Sequence, residues 1–306
     1  MGAGMIAQGF DEPNDDQVLS MAHAITRTDG FMLGGFYDCD PRRAELAENK
    51  WNCPATPRNR AKWLENGWDV IYIATPDANH ATDLRDAMAR RPRAILIEKP
   101  LAVNNEEALD LLYEAVRFGV LVMVNYPRRW HSATARAARA IQAGHIGTPI
   151  SAIFVFSGGV IHNAPHAFDL FHTWWGGGWR VALNSRHDDL TCLTFSREAN
   201  SFTVAIIDRL TQPYYVWEAH IYCSHGKVEL SHSPEFLELS RLQPHPVYSS
   251  YQVLTTLWRS EMDDEPLLCR AGEALAAALA NPAQAEAASR RELECQIFMA
   301  ETLRHF

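Results

Sequence analysis

Lys99 and His166 are the two side chains of this sequence best suited to moving a proton at a reacting carbon. Lys99 stands in Glu98-Lys99-Pro100, directly after an apolar run, and His166 stands in Pro165-His166-Ala167-Phe168-Asp169. A lysine acts as a base where burial or a nearby cation disfavours its ammonium form. A histidine titrates near neutrality and can carry the proton itself or hydrogen-bond the reacting hydroxyl. Pro100 fixes the backbone after the strand and would aim Lys99 into the cleft where open α/β sheets bind ligands. Pro165 fits the first turn of a helix running to about Trp174, which sets Asp169 on the same face as His166. There it could orient the ring or hold a substrate hydroxyl.

Gly2-Ala3-Gly4-Met5-Ile6-Ala7 fits the phosphate-binding fingerprint G-x-G-x-x-G/A. The first glycine permits a tight turn, the second lets the backbone approach a pyrophosphate, and the small last residue allows close packing. Such a loop should follow a strand, yet the sequence starts at the loop, and we expect an upstream segment to supply that strand. Asp38, at the end of the next apolar run, could accept hydrogen bonds from both ribose hydroxyls and repel a 2′-phosphate, which favours NAD. It could equally cap the helix starting near Pro41. Arg42 and Arg43 leave NADP open. Asp38 lies farther from the loop than the usual ~20 residues, because a polar insert, Asp11 to Gln17, intervenes.

Short β-branched runs alternating with amphipathic stretches must carry these residues. Strands are expected at Phe31–Tyr37, Val70–Ala74, Ala94–Ile97 and Val120–Val124. Helices are expected at Pro41–Lys50, His80–Arg90 and Asn105–Phe118, the last capped by Asn104 with Glu106 and Glu107 in its first turn. This is the βαβ pattern of a parallel sheet. After a helix at about Ala133–Ala143, strands follow with few helices between them: Ser151–Ser157, Leu190–Phe195, Phe202–Asp208, Tyr215–Cys223, Lys227–Ser231 and Phe236–Arg241. Helices at about Pro266–Ala280 and Ser289–Arg304 close the chain. The fold class is therefore α/β, with a Rossmann-type domain over 1–124 and an α+β domain with a large, mainly antiparallel open sheet over 125–306.

Five segments fall in a fixed order: the glycine loop, Thr75-Pro76-Asp77-Ala78-Asn79-His80, Glu98-Lys99-Pro100, Asn125-Tyr126-Pro127-Arg128-Arg129-Trp130, and Gly158-Gly159 with His166-Ala167-Phe168-Asp169-Leu170. Together they resemble the Gfo/Idh/MocA family of oxidoreductases, named for glucose–fructose oxidoreductase and inositol dehydrogenase. The resemblance implies hydride transfer between NAD(P) and a secondary alcohol or ketone of a sugar, cyclitol or related polyol, in a homodimer or homotetramer. It places Lys99 near the nicotinamide and substrate and makes His166 the active-site histidine. Family dehydrogenases commonly carry Asp four residues before that histidine; here the position is His162, which could replace the acid as a hydrogen-bond partner.

The cofactor set is then Gly2, Gly4, Met5, Ile6, Asp38, Thr75, Pro76, His80, Glu98 and Lys99. Asn125, Arg129, Trp130, His162, His166 and Asp169 form the substrate set, with Lys99, His166 and His162 as the catalytic candidates. Arg129 could instead form an interdomain salt bridge, and His166 could merely pack. Trp174, Trp175 and Trp179, around Gly176-Gly177-Gly178, could form a flexible lip over a sugar ring, although core packing suits at least one of them. Two alternatives remain: a lyase or glycosidase that oxidises its sugar transiently, and a non-catalytic NAD or sugar sensor.

Bulk properties narrow the classes. The net charge is −9, with 28 Lys and Arg against 37 Asp and Glu, and no basic stripe invites nucleic acid. No apolar stretch approaches the ~20 residues of a membrane span. Six scattered cysteines without a C-x-x-C pair fit reduced thiols in the cytoplasm. His162, His166, Asp169 and His172 offer metal-ligand chemistry, but no metal is expected, since Pro165 should interrupt the helical pairing.

Overall fold

A computed structural model describes residues 1–188, 190–198, 200–208, 214–231, 236–261 and 266–304. The chain divides into two compact units, 1–130 with 266–296, and 131–265 with 297–306.

In the first unit, helices α1 (Met21–Arg27), α2 (Pro41–Lys50) and α3 (Arg60–Leu64) precede β1 (Val70–Ile73). There follow α4 (His80–Met88), β2 (Ala94–Ile97), α5 (Asn105–Phe118) and β3 (Leu121–Val124). The three strands pair in parallel in the order β1-β2-β3, with Ile71 opposite Ile95 and Ile95 opposite Val122. Every residue of β2 and β3 is buried, as continuous β-branched runs between two helical layers require. α5 starts where its sequence says it should: the Asn104 side chain accepts from the Glu106 and Glu107 amides, and Gly119 ends the helix at φ +67°.

The expected strand at Phe31–Tyr37 does not form; those residues carry no regular structure. Its β propensity is intact, but a strand needs a neighbour to pair with, and only Tyr37 finds one, accepting from the Gly2 amide at 2.8 Å.

The second unit opens with α6 (Ser132–Gln142) and β4 (Pro149–Phe156), then α7 (Val160–Trp175). Seven strands follow: β5 (Arg180–His187), β6 (Leu190–Arg197), β7 (Asn200–Asp208), β8 (Trp217–Cys223), β9 (Gly226–Ser231), β10 (Phe236–Pro244) and β11 (Gln252–Glu261). They form one eight-stranded sheet, β11-β10-β9-β8-β4-β7-β6-β5, antiparallel throughout except for the parallel pair β4–β7. An aromatic core lies between the sheet and α7: Phe171 stacks on Phe202 at 4.7 Å, and Phe168 meets Phe154 and Phe195 edge-on.

Two closing helices, α8 (Leu267–Ala280) and α9 (Pro282–Leu303), complete the chain. α8 returns to the first unit, where Leu268 and Leu275 join Met21, Leu96 and Met123 in one buried cluster.

Candidate active site

The glycine loop has the conformation its sequence requires. Gly2 sits at φ +83°, and a Cβ there would lie 2.4 Å from the Ala74 carbonyl oxygen, so only glycine fits. A Cβ on Gly4 would meet nothing within 4 Å, which leaves the loop an open cradle on that side. Ala3 and Ala7 are buried, Ile6 packs against the β2–α8 core, and Met5 is exposed.

Asp38 is buried beside this loop. Its Oδ2 accepts from the Ala3 amide at 2.8 Å and its Oδ1 from the Asp40 amide at 2.9 Å. It does not cap α2; Asp40 does, accepting from the Arg42 amide at 2.9 Å. The carboxylate therefore fixes the loop; its Oδ1 also accepts from the Cys39 thiol at 3.6 Å, while Oδ2 keeps one lone pair.

Past the loop the helix is short. Met5–Gly9 makes a single π-helical turn, and the polar insert follows. Asp11, in that insert, is buried and accepts from the Leu19 amide at 2.6 Å, the Ser20 amide and hydroxyl, and His23 Nδ1 at 2.9 Å. Burial pushes its carboxyl up, but the bonds from Ser20, Leu19 and His23 together outweigh burial and hold it below its ordinary value. The Lys50 ammonium donates to the Gln8 carbonyl and pairs with Glu12, both at 3.0 Å. Asp11 and Lys50 thus brace the loop from behind, and sequence reading missed both.

The carboxyl ends of β1, β2 and β3 bring the other motifs of the first unit onto one rim. Thr75 donates its hydroxyl to Asp83 at 2.6 Å, and Asp83 is paired with Arg60. Pro76 leads into the turn Asp77–Asn79 before α4. His80 is fully buried; Nδ1 lies 2.6 Å from the Pro100 carbonyl and Nε2 2.8 Å from the Thr75 carbonyl. It joins the Thr75 loop to the Lys99 loop, and so acts on a ligand only through them. Glu98 accepts from the Tyr72 hydroxyl at 2.5 Å and from Asn125 Nδ2 at 2.7 Å. Burial, the Glu98 charge and that hydrogen bond push the Tyr72 phenol well above its ordinary value, so it stays a donor. Half-buried Lys99 follows Glu98 directly, and its peptide to Pro100 is cis.

Two residues expected to meet substrate are engaged elsewhere. Asn125 is buried and holds Glu98. Arg129 is buried, ion-paired with Glu292, and lies over the Tyr126 and Trp130 rings at 5.0 and 5.3 Å. Its partner belongs to the same unit, so this is not an interdomain pair. Trp130 is covered on another side by Arg291 at 4.9 Å.

The histidine motif lies in the second unit. α7 starts at Val160 and contains Pro165, rather than starting there. Proline's missing N–H would strand only the Ile161 carbonyl, and neighbouring bonds hold this turn: Asn163 Nδ2 donates to the Ser157 carbonyl at 2.7 Å, and Trp217 Nε1 to the Asn163 carbonyl at 2.9 Å. His162 and His166 are therefore one helical turn apart, His162 exposed and His166 buried edge-on to Trp217 at 6.5 Å. Asp169 is buried one turn further on. Among the described residues no three His, Cys, Asp or Glu side chains cluster as metal ligands would. The tryptophan lip is not free: Trp174 and Trp179 are buried, and Arg197 donates to the Trp175 and Gly177 carbonyls at 2.6 and 3.1 Å while stacking on Trp179.

Residues 17–126 match the model of the oxidoreductase family with an NAD-binding Rossmann fold. That model is the one of the Gfo/Idh/MocA family, and this segment is similar to it. The matched segment contains Asp38, Thr75, His80, Glu98, Lys99 and Asn125, and starts beyond the glycine loop. Among curated relatives, scyllo-inositol 2-dehydrogenase (NAD(+)) of Bacillus subtilis is 35% identical over 107 residues, covering 35% of this chain and 30% of its own. D-apiose dehydrogenase of Paraburkholderia graminis is 31% identical over 144 residues, covering 44% and 38%. The chain thus spans about a third of the length of these relatives. The fold likeness runs further. An NAD-binding oxidoreductase from Klebsiella pneumoniae superposes with a TM-score of 0.76 at 16% identity, over 93% of both chains. An inositol dehydrogenase homologue of Azotobacter vinelandii, complexed with NADH and myo-inositol, gives 0.75 at 15% identity, over 95% of this chain and 92% of its own. The expected α/β class, with its parallel first sheet and mainly antiparallel second, holds.

Proposed function

We propose that this chain is an NAD-dependent dehydrogenase or reductase that moves hydride between nicotinamide and a secondary alcohol or ketone of a sugar, cyclitol or related polyol. The observation that carries this reading is the rim of the first unit, where the Gly2–Ala7 cradle lies against Ala74 just past β1, the Asp38 carboxylate is bonded to the Ala3 amide, and Lys99 follows a locked Glu98 just past β2. That rim is where doubly wound sheets hold ligands. The printed activities of the inositol and apiose dehydrogenases support the substrate class.

The residues present fit a dinucleotide. Gly2, Gly4, Met5 and Ile6 would hold its pyrophosphate through loop amides, and Asp38 its ribose, with Thr75, Pro76 and Lys99 along the nicotinamide side. Because the helical turn behind the loop is only five residues long, the loop amides rather than a helix dipole carry the anion. Bound there, the nicotinamide supplies the hydride acceptor or donor. Lys99 would take the hydroxyl proton in oxidation and return it in reduction, with His166 hydrogen-bonding the reacting oxygen. His162 and Asp169 would orient His166 and the substrate. The cytoplasm, and a homodimer or homotetramer, complete the proposal. Apolar side chains exposed on the large sheet, such as Ile153, Leu254 and Leu257, support self-association.

The test is titration with NAD and NADP followed by tryptophan quenching, then polyol-dependent NADH production by the wild type, Lys99→Met and His166→Ala. Loss of turnover in both variants with little change in NAD affinity is the expected result. Ligand binding without turnover in the wild type would instead identify a sensor, and product formation without free NADH would identify transient oxidation.

A further inference from the structure

Beside Asp38, the end of the segment 31–37 meets a second set of charged groups that the dinucleotide reading leaves unused. The Thr56 hydroxyl donates to the Phe36 carbonyl at 2.5 Å, which lays the chain before α3 against that segment. Asn59 then caps α3, accepting from the Lys62 amide, and the helix opens with Arg60. The Tyr37 ring lies 5.9 Å from that of Trp63, one turn further along α3. From this helix the half-buried Arg60 guanidinium reaches across to α4, where it pairs with Asp83 at 2.6 Å and with Asp86. Asp83 is buried, and its other oxygen takes the Thr75 hydroxyl just past β1.

The Tyr37 phenol ties this group to Asp38. Burial pushes the phenol up; the Arg60 cation pulls it back, while Cys39, Asp83 and Asp38 push it further. One side chain at the end of 31–37 thus senses Arg60, Asp83 and Asp38 together. An arginine near the ribose acid is what accommodates a 2′-phosphate in NADP-binding folds. Arg42 and Arg43, which follow Asp38 in sequence, stand exposed on the first turn of α2, with Arg43 at 3.9 Å from Asp40. Arg60 is the arginine held at the rim itself, and it is already spent on carboxylates. A guanidinium grips phosphate through its forked N–H pairs, and here one terminal nitrogen goes to Asp83 and the other to Asp86. With Asp38, one cation stands among three carboxylates, so a phosphate dianion arriving there would meet surplus negative charge.

We propose that Arg60 is a latent 2′-phosphate contact, held on α4 by Asp83 and Asp86, and that this pairing, with Asp38, sets a preference for NAD over NADP. The inference rests on the dinucleotide reading of the rim and names the residues that choose between the two cofactors. Asp86 is the member of the set to remove: its side chain is 45% exposed, so its loss should cost little stability. Asp83 also holds Thr75, and replacing it would disturb both cofactors alike.

Equilibrium titration with NAD and with NADP, read by tryptophan quenching, tests it on the wild type, Asp86→Ala, Arg60→Ala and the double variant. Asp86→Ala should tighten NADP binding by about tenfold and leave NAD affinity within about twofold. Arg60→Ala should bind NADP no better than the wild type, and the double variant should lose the gain. An unchanged ratio of NADP to NAD affinity in Asp86→Ala overturns the proposal, as does a wild type that prefers NADP. A gain that survives in the double variant overturns it too, since relief of repulsion would then explain the change without Arg60. A wild type that binds neither dinucleotide overturns the dinucleotide reading and this inference together, whereas NAD binding with an unmoved ratio overturns this inference alone.

Discussion

Replacing Arg129 by Met should destabilise the first unit rather than weaken substrate binding. The Arg129 and Glu292 side chains are 0% and 2% exposed, and the guanidinium is enclosed further by Tyr126 and Trp130. Breaking a pair so buried leaves the Glu292 carboxylate only its longer contact with half-buried Arg291, at 3.4 Å, at a cost of up to about 3–5 kcal/mol. For a unit of this size that corresponds to a fall in Tm of roughly 6–20 °C. Glu292→Gln removes the negative charge from beside the buried Arg129 guanidinium and should lower Tm as well. The double variant Arg129→Met/Glu292→Leu removes both charges together, and its loss should be smaller than the sum of the two singles by about 0.5–3 kcal/mol. Thermal unfolding followed by circular dichroism, alongside KM for a polyol substrate below the transition, separates the two roles. An Arg129→Met protein that melts within about 2 °C of the wild type and shows a tenfold higher KM would refute the argument and return Arg129 to the substrate.

Gly2→Ala puts a methyl group 2.4 Å from the Ala74 carbonyl oxygen at a positive φ; the backbone alone costs about 1–2 kcal/mol, and calorimetry should show NAD binding lost beyond that destabilisation. Asp38→Ala removes the acceptor for the buried Ala3 amide and should cost about 1.5–3 kcal/mol by urea unfolding and weaken NAD binding. Asp38→Asn, which keeps one acceptor oxygen, should recover part of both. Asp11 has a lowered folded-state value, so its contribution is present above the ordinary carboxyl value of 3.8 and is lost as pH falls through its folded value. Urea midpoints between pH 7 and 3 should fall less steeply for Asp11→Asn than for the wild type.

Local signals were legible wherever one element decided the outcome. Asn104 with Glu106 and Glu107 marked the start of α5, and the buried runs of β2 and β3 fell within a residue of their expected ends. Tertiary partnership decided the rest. The run 31–37 is apolar enough for a strand, yet pairing is a property of two segments, and among the described residues no strand pairs with it. β5 and β11 were invisible for the opposite reason: β5 carries Arg180, Asn184, Ser185, Arg186 and His187 on a mostly exposed edge, so no apolar alternation marks it. The start of α7 was misplaced because Pro165 reads as a first-turn residue, whereas Asn163 and Trp217 hold the turn around it. The motifs themselves were found, but a motif does not say which member faces the ligand. Tyr72, Asp83 and Glu292, which hold Glu98, Thr75 and Arg129, lie within apolar or charged runs that look generic. Only the phenol of Tyr72, a polar group in a buried strand, signals that a partner is needed.

The same geometry redistributes the work among the motif residues. His80 is occupied between two carbonyls, Asn125 and Tyr72 with Glu98, and Arg129 with Glu292. Apart from the Arg129 pair with Glu292 on α9, each link joins the carboxyl end of one strand to that of the next: β1 to β2 through His80 and Tyr72, and β2 to β3 through Asn125. Such a chain of buried bonds stiffens the rim before any ligand arrives, which is the kind of preorganisation that holding reacting atoms about 3–3.5 Å apart in the right orientation demands. Of the first-unit candidates, those that would meet ligand on the proposed reading are Lys99, Thr75 and Pro76, the Gly2–Ile6 backbone, and Asp38 through its Oδ2. None of these distinguishes one polyol from another. On the proposed reading, substrate choice would rest on His162, His166 and Asp169, with exposed His162 and buried His166 and Asp169 on successive turns of α7. Substitutions at His162 should therefore change the ranking of polyol substrates by kcat/KM while leaving NAD affinity unchanged, and an unchanged ranking would show that α7 does not read the substrate.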